Sequence, residues 1–157
     1  MGTVDADALA YVDNGDGTIT DSNTGLMWEK LSYDGSIHDW TNTYTFDQAF
    51  PAKVATLNSA SFAGYSDWRV PNMRELHALV DASQAFPAIS LPFRSPCWLG
   101  CSNLTCSCLK PASYWSSTTS AAFVMRAWSV EFGADGTLED GNWKSVALFV
   151  RAVRRGS

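Results

Sequence analysis

From Tyr11 to Lys30 the chain reads YVDNGDGTITDSNTGLMWEK, where short β-favouring pieces alternate with two turn clusters, Asn14-Gly15-Asp16-Gly17 and Ser22-Asn23-Thr24-Gly25. Glycine supplies the positive φ such turns need, so the pattern predicts a small antiparallel meander. After a polar loop from Ser32 to Asn42 the period lengthens. Thr45 and Gln48 have the spacing of a capping box, and Phe46, Ala49, Phe50, Val54 and Leu57 recur at helical intervals. This predicts a helix buried along one face, with Pro51 close enough to its start to kink it or delay its first turn. A second helix is predicted after SDWRVP, capped by Asn72 with Glu75 at the third position and striped by Met73, Leu76, Leu79 and Val80; Arg74, His77 and Asp81 lie off that stripe. From Tyr114 the period becomes two, in YWSSTT, AWSVEF, TLEDG and LFVRAVR, where Trp128, Val130 and Phe132 alternate with Ser129 and Glu131. Meander, two helices, a cysteine-rich loop and antiparallel strands, with no internal repeat, read as an α+β domain spanning residues 1–157.

Composition narrows the class. The 157 residues suit one core, and 46% hydrophobic against 17% charged residues, with seven Trp, eight Phe and five Tyr, describe an aromatic-rich globule rather than a disordered chain. With 11 basic and 16 acidic residues the formal charge is -5, which argues against a general polyanion binder, so nucleic acid is not an expected partner. No stretch approaches the roughly 18 uninterrupted apolar residues of a membrane span, so direct membrane insertion is not expected. The start, MGTVDADALA, lacks the basic and apolar regions of a signal peptide and reads as a trimmed mature domain.

All four cysteines fall within CWLGCSNLTCSC, at Cys97, Cys101, Cys106 and Cys108. The C-x3-C-x4-C-x-C spacing lacks the C-x2-C pairs of common zinc sites and of thioredoxin-like redox centres, so two disulfides are expected, with zinc as the alternative. A Cys106–Cys108 bridge would strain so short a loop, which leaves a nested pairing (97 to 108, 101 to 106) and a crossed one; we favour the nested pairing because it closes a hairpin-like loop. Bridges of this kind persist in oxidising compartments, which implies a secreted, cell-surface or virion location. Other candidate chemistry is weaker. Placing Asp16-Gly17 at the fifth and sixth positions of an EF-hand would put Val12 where the leading carboxylate belongs. His38, in a loop, and His77, on a polar helix face, have no Ser or Cys motif beside them and read as solvated. Glu131, Glu139 and Asp140 read as solvated carboxylates rather than an acid–base pair. Arg69, next to Trp68, is expected to stack on the ring and bond backbone carbonyls at the helix start, while Arg151, Arg154 and Arg155 are candidates to meet an anionic glycan.

Four segments carry a resemblance: DNGDGTITDSNTGLMWEK, TYTFDQAFPAKVATLNSASFAGYSDWRVPNMREL, CSCLKPASYWSSTT and FVRAVR. In this order they closely resemble the Lcl C-terminal domain family, over nearly the whole chain. Members look like a branch of the C-type-lectin fold related to the formylglycine-generating enzyme, whose Arg-Leu-Pro-Thr helix start is similar to Arg69-Val70-Pro71-Asn72 here. The resemblance implies a C-type-lectin-like domain, two helices packed on antiparallel sheet, acting as a binding module, since relatives include bacterial adhesins and the variable proteins of diversity-generating retroelements. In the latter the stretch from YWSSTT to VRAVR is rewritten while a framework stays fixed; here the framework would be Trp115, Ser116, Ser117, Trp128, Val130, Phe132, Lys144, Val150, Arg151, Val153 and Arg154.

If that framework holds, Trp128, Val130 and Phe132 face inward, and Ser129 and Glu131 face outward with the following loop beside them. The expected ligand-binding residues are therefore Ser129, Glu131, Asp135, Glu139, Asp140, Asn142, Trp143 and Ser145. Trp143 is the anchor unless it folds back into the core. The expected partner is a protein or glycan on a target surface, with a homo-oligomer left open. The alternatives are a glycan- or glycosaminoglycan-binding adhesin and, from another class, an oxidase like the formylglycine-generating enzyme. The oxidase would need a copper-binding cysteine pair in a peptide groove, which clustered cysteines do not match, so neither catalysis nor a cofactor is expected. The calcium-binding sugar motifs of C-type lectins (Glu-Pro-Asn, Gln-Pro-Asp, Trp-Asn-Asp) do not occur.

Overall fold

The computed structural model describes residues 10–81, 83–84, 87–133 and 136–155, and its architecture is α+β. The expected meander is β1 (Tyr11–Asp13), β2 (Thr18–Asp21) and β3 (Leu26–Glu29), paired antiparallel. Its turns are built from their own carboxylates. Asp13 accepts the Gly15 amide, Asp16 the Thr18 amide and hydroxyl, and Asp21 the Asn23 amide and Thr24 hydroxyl. Gly17, at φ 94°, is in the left-handed region, and a Cβ there would come 2.7 Å from the side chain of Asn103, where the cysteine loop packs on this turn.

Thr45 and Gln48 form the expected capping box at α1 (Phe46–Gln48). Pro51 has no N–H to donate, and around it the chain widens to π winding over Ala49–Val54 before regaining α geometry in α2 (Ala55–Ser59). At ordinary helical spacing Lys53, seven residues after Phe46 and four before Leu57, already lies on the apolar stripe. Lys53 takes a core position together with Phe46, Ala49 and Leu57, while Phe50, expected on the buried face, is exposed and Val54 is half-buried. The second helix, α3 (Met73–His77), has the Asn72–Glu75 capping box, and Leu76 and Leu79 are buried beneath it. Glu75 also takes two bonds from Arg69, at 2.6 and 2.7 Å, so Arg69 clamps the helix start through a carboxylate rather than through carbonyls or the Trp68 ring. Trp68 is buried, its indole N–H donating to the Phe62 carbonyl, and the Asn58 side chain pairs with its amide and carbonyl.

Among the described residues the later strands are β4 (Thr43–Tyr44), β5 (Ser113–Thr119), β6 (Arg126–Glu131), β7 (Thr137–Trp143), β8 (Leu148–Phe149) and β9 (Val153–Arg155). They do not form one sheet. A five-stranded sheet has the order β4-β8-β5-β6-β7, with β8 parallel to β5 and the other pairs antiparallel, whereas β9 leaves to pair with β3 and completes β1-β2-β3-β9. One face of the five-stranded sheet sends Tyr114, Val130 and Phe132 into a core with Trp28, Leu76 and Ile89; the other packs Trp115 and Ala127 against Tyr44, Phe46 and Ala49. The Trp115 indole donates to the Tyr44 carbonyl at 2.8 Å, as a buried indole must find an acceptor. The cysteine loop between helices and sheet carries the nested pairing, Cys97–Cys108 and Cys101–Cys106. Among the described residues no helix is long and apolar enough to cross a membrane.

Charged side chains of both signs are buried at the junction of these parts. The Glu29 carboxylate, fully enclosed, accepts from Lys53 Nζ at 2.6 Å, from His38 Nδ1 at 2.7 Å and from the Ala152 amide at 3.0 Å. His38, expected to be solvated, is thus half-buried and committed to this group. Arg151, also buried, donates to the carbonyls of Glu29, Phe93 and Cys108 at 2.9, 3.1 and 2.9 Å. Arg154 is buried as well, pairs with Asp67 at 2.6 Å and lies over the Tyr65 ring. Both arginines are structural; Arg155 is exposed.

Burial alone would raise the Glu29 carboxyl, but the ammonium of Lys53 and the bonds from His38 and Lys53 outweigh it and bring it down from 4.5 to about 2. A carboxylate so depressed stabilises the fold above its unfolded value. That contribution is lost as pH falls from about 4.5 toward 2, so the urea midpoint should drop over this window, and less so in Glu29→Gln. Lys53→Met leaves an uncompensated buried charge and should cost about 3–5 kcal/mol in urea unfolding at neutral pH.

Candidate functional site

At the far end of the five-stranded sheet, β6 begins where the segment Ala121–Met125 ends, and β7 runs out through Trp143 into the turn toward β8. Arg126 and Trp143 are cross-strand partners. The Arg126 guanidinium lies 4.3 Å from the Trp143 ring centre and 4.7 Å from that of Phe123, so it is held between two aromatic faces. Backbone bonds fix the two loops. Arg126 donates to the Phe123 carbonyl, Lys144 to Met125, Val146 to Trp143, and Phe46 to Lys144, while the Lys144 ammonium sits over the Phe46 ring at 4.5 Å.

With the backbone fixed, the side chains stand out. Val124 is 76% exposed, Met125 66% and Trp143 46%, and Phe123 and Val146 are exposed beside them. Trp143 therefore does not fold back into the core. Two open hollows meet at Val124, Met125 and Trp143: one of about 450 Å³, bounded also by Thr45, Asp47, Lys144 and Ser145, and one of about 310 Å³, bounded by Ala122 and Phe123. Water solvates such a surface poorly, and soluble proteins rarely leave apolar side chains clustered in this way unless a partner covers them.

The remaining expected residues form a separate polar cluster. A bulge at Gly141 lets both Glu139 and Asn142 reach Ser129: Ala127 pairs with Asn142, but Trp128 pairs with Asp140, leaving one residue over. Glu139 Oε1 accepts from Ser113 Oγ at 2.7 Å, from Ser129 Oγ at 3.1 Å and from Asn142 Nδ2 at 3.3 Å; Glu131 lies 3.2 Å from Ser113 Oγ and accepts the Gly133 amide. Ser129 and Glu131 do share the expected face. Ser129 is nevertheless 0% exposed, because Glu139 and Asn142 close over it, so it cannot touch a ligand in this state. Trp128, expected inward, is half-buried. Asp140 is exposed but pairs with Trp128 and, by alternation, projects from the opposite face to Glu139. Asp135 lies outside the described residues. Of the eight expected residues, the groove gathers Trp143 and Ser145, whereas Ser129, Glu131, Glu139 and Asn142 form the polar cluster.

Phe123, Val124, Met125 and Arg126 were missed by the sequence reading. Their signal was available: three successive apolar residues between SSTTSAA and the strand beginning at Arg126, in a segment with no alternation to bury them. The framework expected from the resemblance is largely internal, with Trp115, Ser116, Val130, Phe132, Val150, Arg151, Val153 and Arg154 all buried.

An α+β domain with a disulfide-stapled loop and an exposed apolar groove is compatible with a ligand-binding domain displayed at a surface. Residues 17–154 match the model of the Lcl C-terminal domain, and the chain belongs to that family. No curated protein and no solved structure matches it.

Ser129→Ala and Glu139→Ala each leave polar partners of the cluster unmatched and should cost about 1–3 kcal/mol in thermal or urea unfolding. Trp143→Ala should stay within about 1 kcal/mol of the parent, since half the ring is already in water and only its stacking on Arg126 is lost.

Proposed function

We propose that the chain is a non-enzymatic, C-type-lectin-like recognition domain whose contact surface is the apolar groove of Phe123, Val124, Met125 and Trp143, with Ser145, Lys144 and Asp47 at its edge. The observation that carries this reading is the clustering of exposed apolar side chains on two loops tied together by backbone bonds, Arg126 to Phe123, Lys144 to Met125 and Val146 to Trp143. Aromatic and aliphatic groups held out on a fixed frame give large contact area at small entropy cost, which is what binding hot spots require. The expected partner is a protein or glycan on a target surface, and the two disulfides suit a secreted, cell-surface or virion location.

The same division of labour supports membership among the variable proteins of diversity-generating retroelements. In the stretch from Tyr114 to Arg154 the buried residues hold the sheet, while Val124, Met125, Trp143, Ser145 and Val146 stand in water, where replacement costs little stability.

The test is an unbiased screen of protein and glycan arrays followed by Trp143→Ala and Val124→Asp. Each should weaken the captured partner by about 30-fold or more, the loss of one hot spot, at near-native melting temperature. Undiminished binding by both variants, or chemical turnover of the captured partner, would remove this reading. For diversification, a reverse transcriptase gene and a near-copy of the 3' coding end in the flanking DNA are the expected finding.

A further inference from the structure

We propose that the cysteine loop has a second state: when its two bridges are reduced, Cys97, Cys101, Cys106 and Cys108 together bind one soft divalent cation of the zinc class. The folded chain already gathers the donors. The sulfurs of Cys97, Cys101 and Cys108 lie within 4.8 Å of one another, and Cys106 Sγ is 4.0 Å from Cys108 Sγ. Tetrahedral thiolate coordination, with zinc–sulfur bonds of about 2.3 Å, places the sulfurs about 3.8 Å apart, so Cys97, Cys101 and Cys108 are near the spacing of one centre and Cys106, beside Cys108, has to close on it once its bridge to Cys101 opens.

Contacts other than the bridges hold the loop where it is. The Gly100 amide donates to the Tyr33 carbonyl at 2.7 Å, the Tyr33 amide to Cys101 at 2.9 Å, the Ser107 amide to Pro96 at 2.8 Å and the Cys108 amide to Leu31 at 2.9 Å. Arg151 grips the Cys108 carbonyl from below. The Trp98 amide, 3.5 Å from Cys101 Sγ, is a donor for a bound thiolate, and the Arg151 guanidinium is a fixed positive charge close to a centre that would carry two negative ones. Cys101, Cys106 and Cys108 are buried and Cys97 is exposed, so a reductant reaches the outer bridge first.

The chemistry balances with a dithiol as reductant. Each bridge takes two electrons and two protons, giving two thiols, and each dithiol leaves as its cyclic disulfide. The divalent ion then displaces four protons as four metal–sulfur bonds form, so affinity rises with pH. Where the surroundings are reducing the metal would hold the loop in place, and where they are oxidising the bridges do so.

The experiment is to reduce the folded protein with dithiothreitol, remove the reagent anaerobically, confirm four free thiols, and titrate with Co²⁺ as a spectroscopic probe. One equivalent should give the visible bands of tetrahedral cobalt with thiolate charge transfer, and one equivalent of Zn²⁺ should abolish them. Cys97→Ser, at the exposed position, should weaken the site by about tenfold or more, while near-ultraviolet circular dichroism shows that the fold is kept. Absence of the tetrahedral spectrum would overturn the proposal. So would equal affinity in the urea-unfolded chain, because the fold would then contribute nothing to the site.

Discussion

The Glu29 carboxylate is the point on which the rest of the structure closes. It sits at the end of β3, yet its oxygens are bonded by His38 from the polar loop, Lys53 from the π-wound turn and the Ala152 amide just ahead of β9, and its own carbonyl is held by Arg151. A carboxylate in a dry interior is tolerated only with its charge and lone pairs matched, and each partner here comes from a different segment. If Lys53 is displaced an ion is left unpaired away from water, and if His38 or the Ala152 amide is displaced a carboxylate lone pair is left unmatched. The network therefore discriminates against alternative packings of the helices and the closing strand more sharply than apolar contacts could, because apolar contacts are non-directional.

From that junction the constraint spreads outward. Arg151 carries it to the Phe93 and Cys108 carbonyls, tying the cysteine loop to the same core, and β9 carries it into the first sheet by pairing with β3. The five-stranded sheet is covered on both faces at its centre, by the main core on one side and by Phe46 and Ala49 on the other. At the end of this sheet, beyond Arg126, Val124 and Met125 stay in water, and the groove forms there beside Trp143; Trp98, Leu99 and Leu104 of the cysteine loop are exposed as well, away from the sheet. The groove is thus a consequence of where the frame stops. It is remote from the Glu29 network in bonding terms, so its side chains can change without disturbing what holds the fold. The polar cluster around Glu139 lies between the two and behaves as frame, since Ser129 has no exposure at all.

Much of this was legible along the chain because it depends on neighbours in sequence. Turn carboxylates in the meander, the Thr45 and Asn72 capping boxes, the alternation of β6 and the short spacing that allows nested bridges are all satisfied within a few residues. The resemblance to the Lcl C-terminal domain family added the buried framework, including Arg151 and Arg154. Tertiary structure alone decided the rest. Lys53 stands on the apolar stripe by its spacing, but a charged side chain is not expected in a core until its partner is placed, and His38 looks solvated until Glu29 lies beside it. Ser129 alternates to the correct face, but its burial depends on a bulge one strand away. That β9 leaves its neighbours to join β3, and that Phe123 to Met125 meet Trp143 in one groove, are long-range pairings. Periodicity determines which way a side chain points from its own strand or helix; what it meets there is set by other segments, as far away in sequence as β9 is from β3, and only packing brings those together.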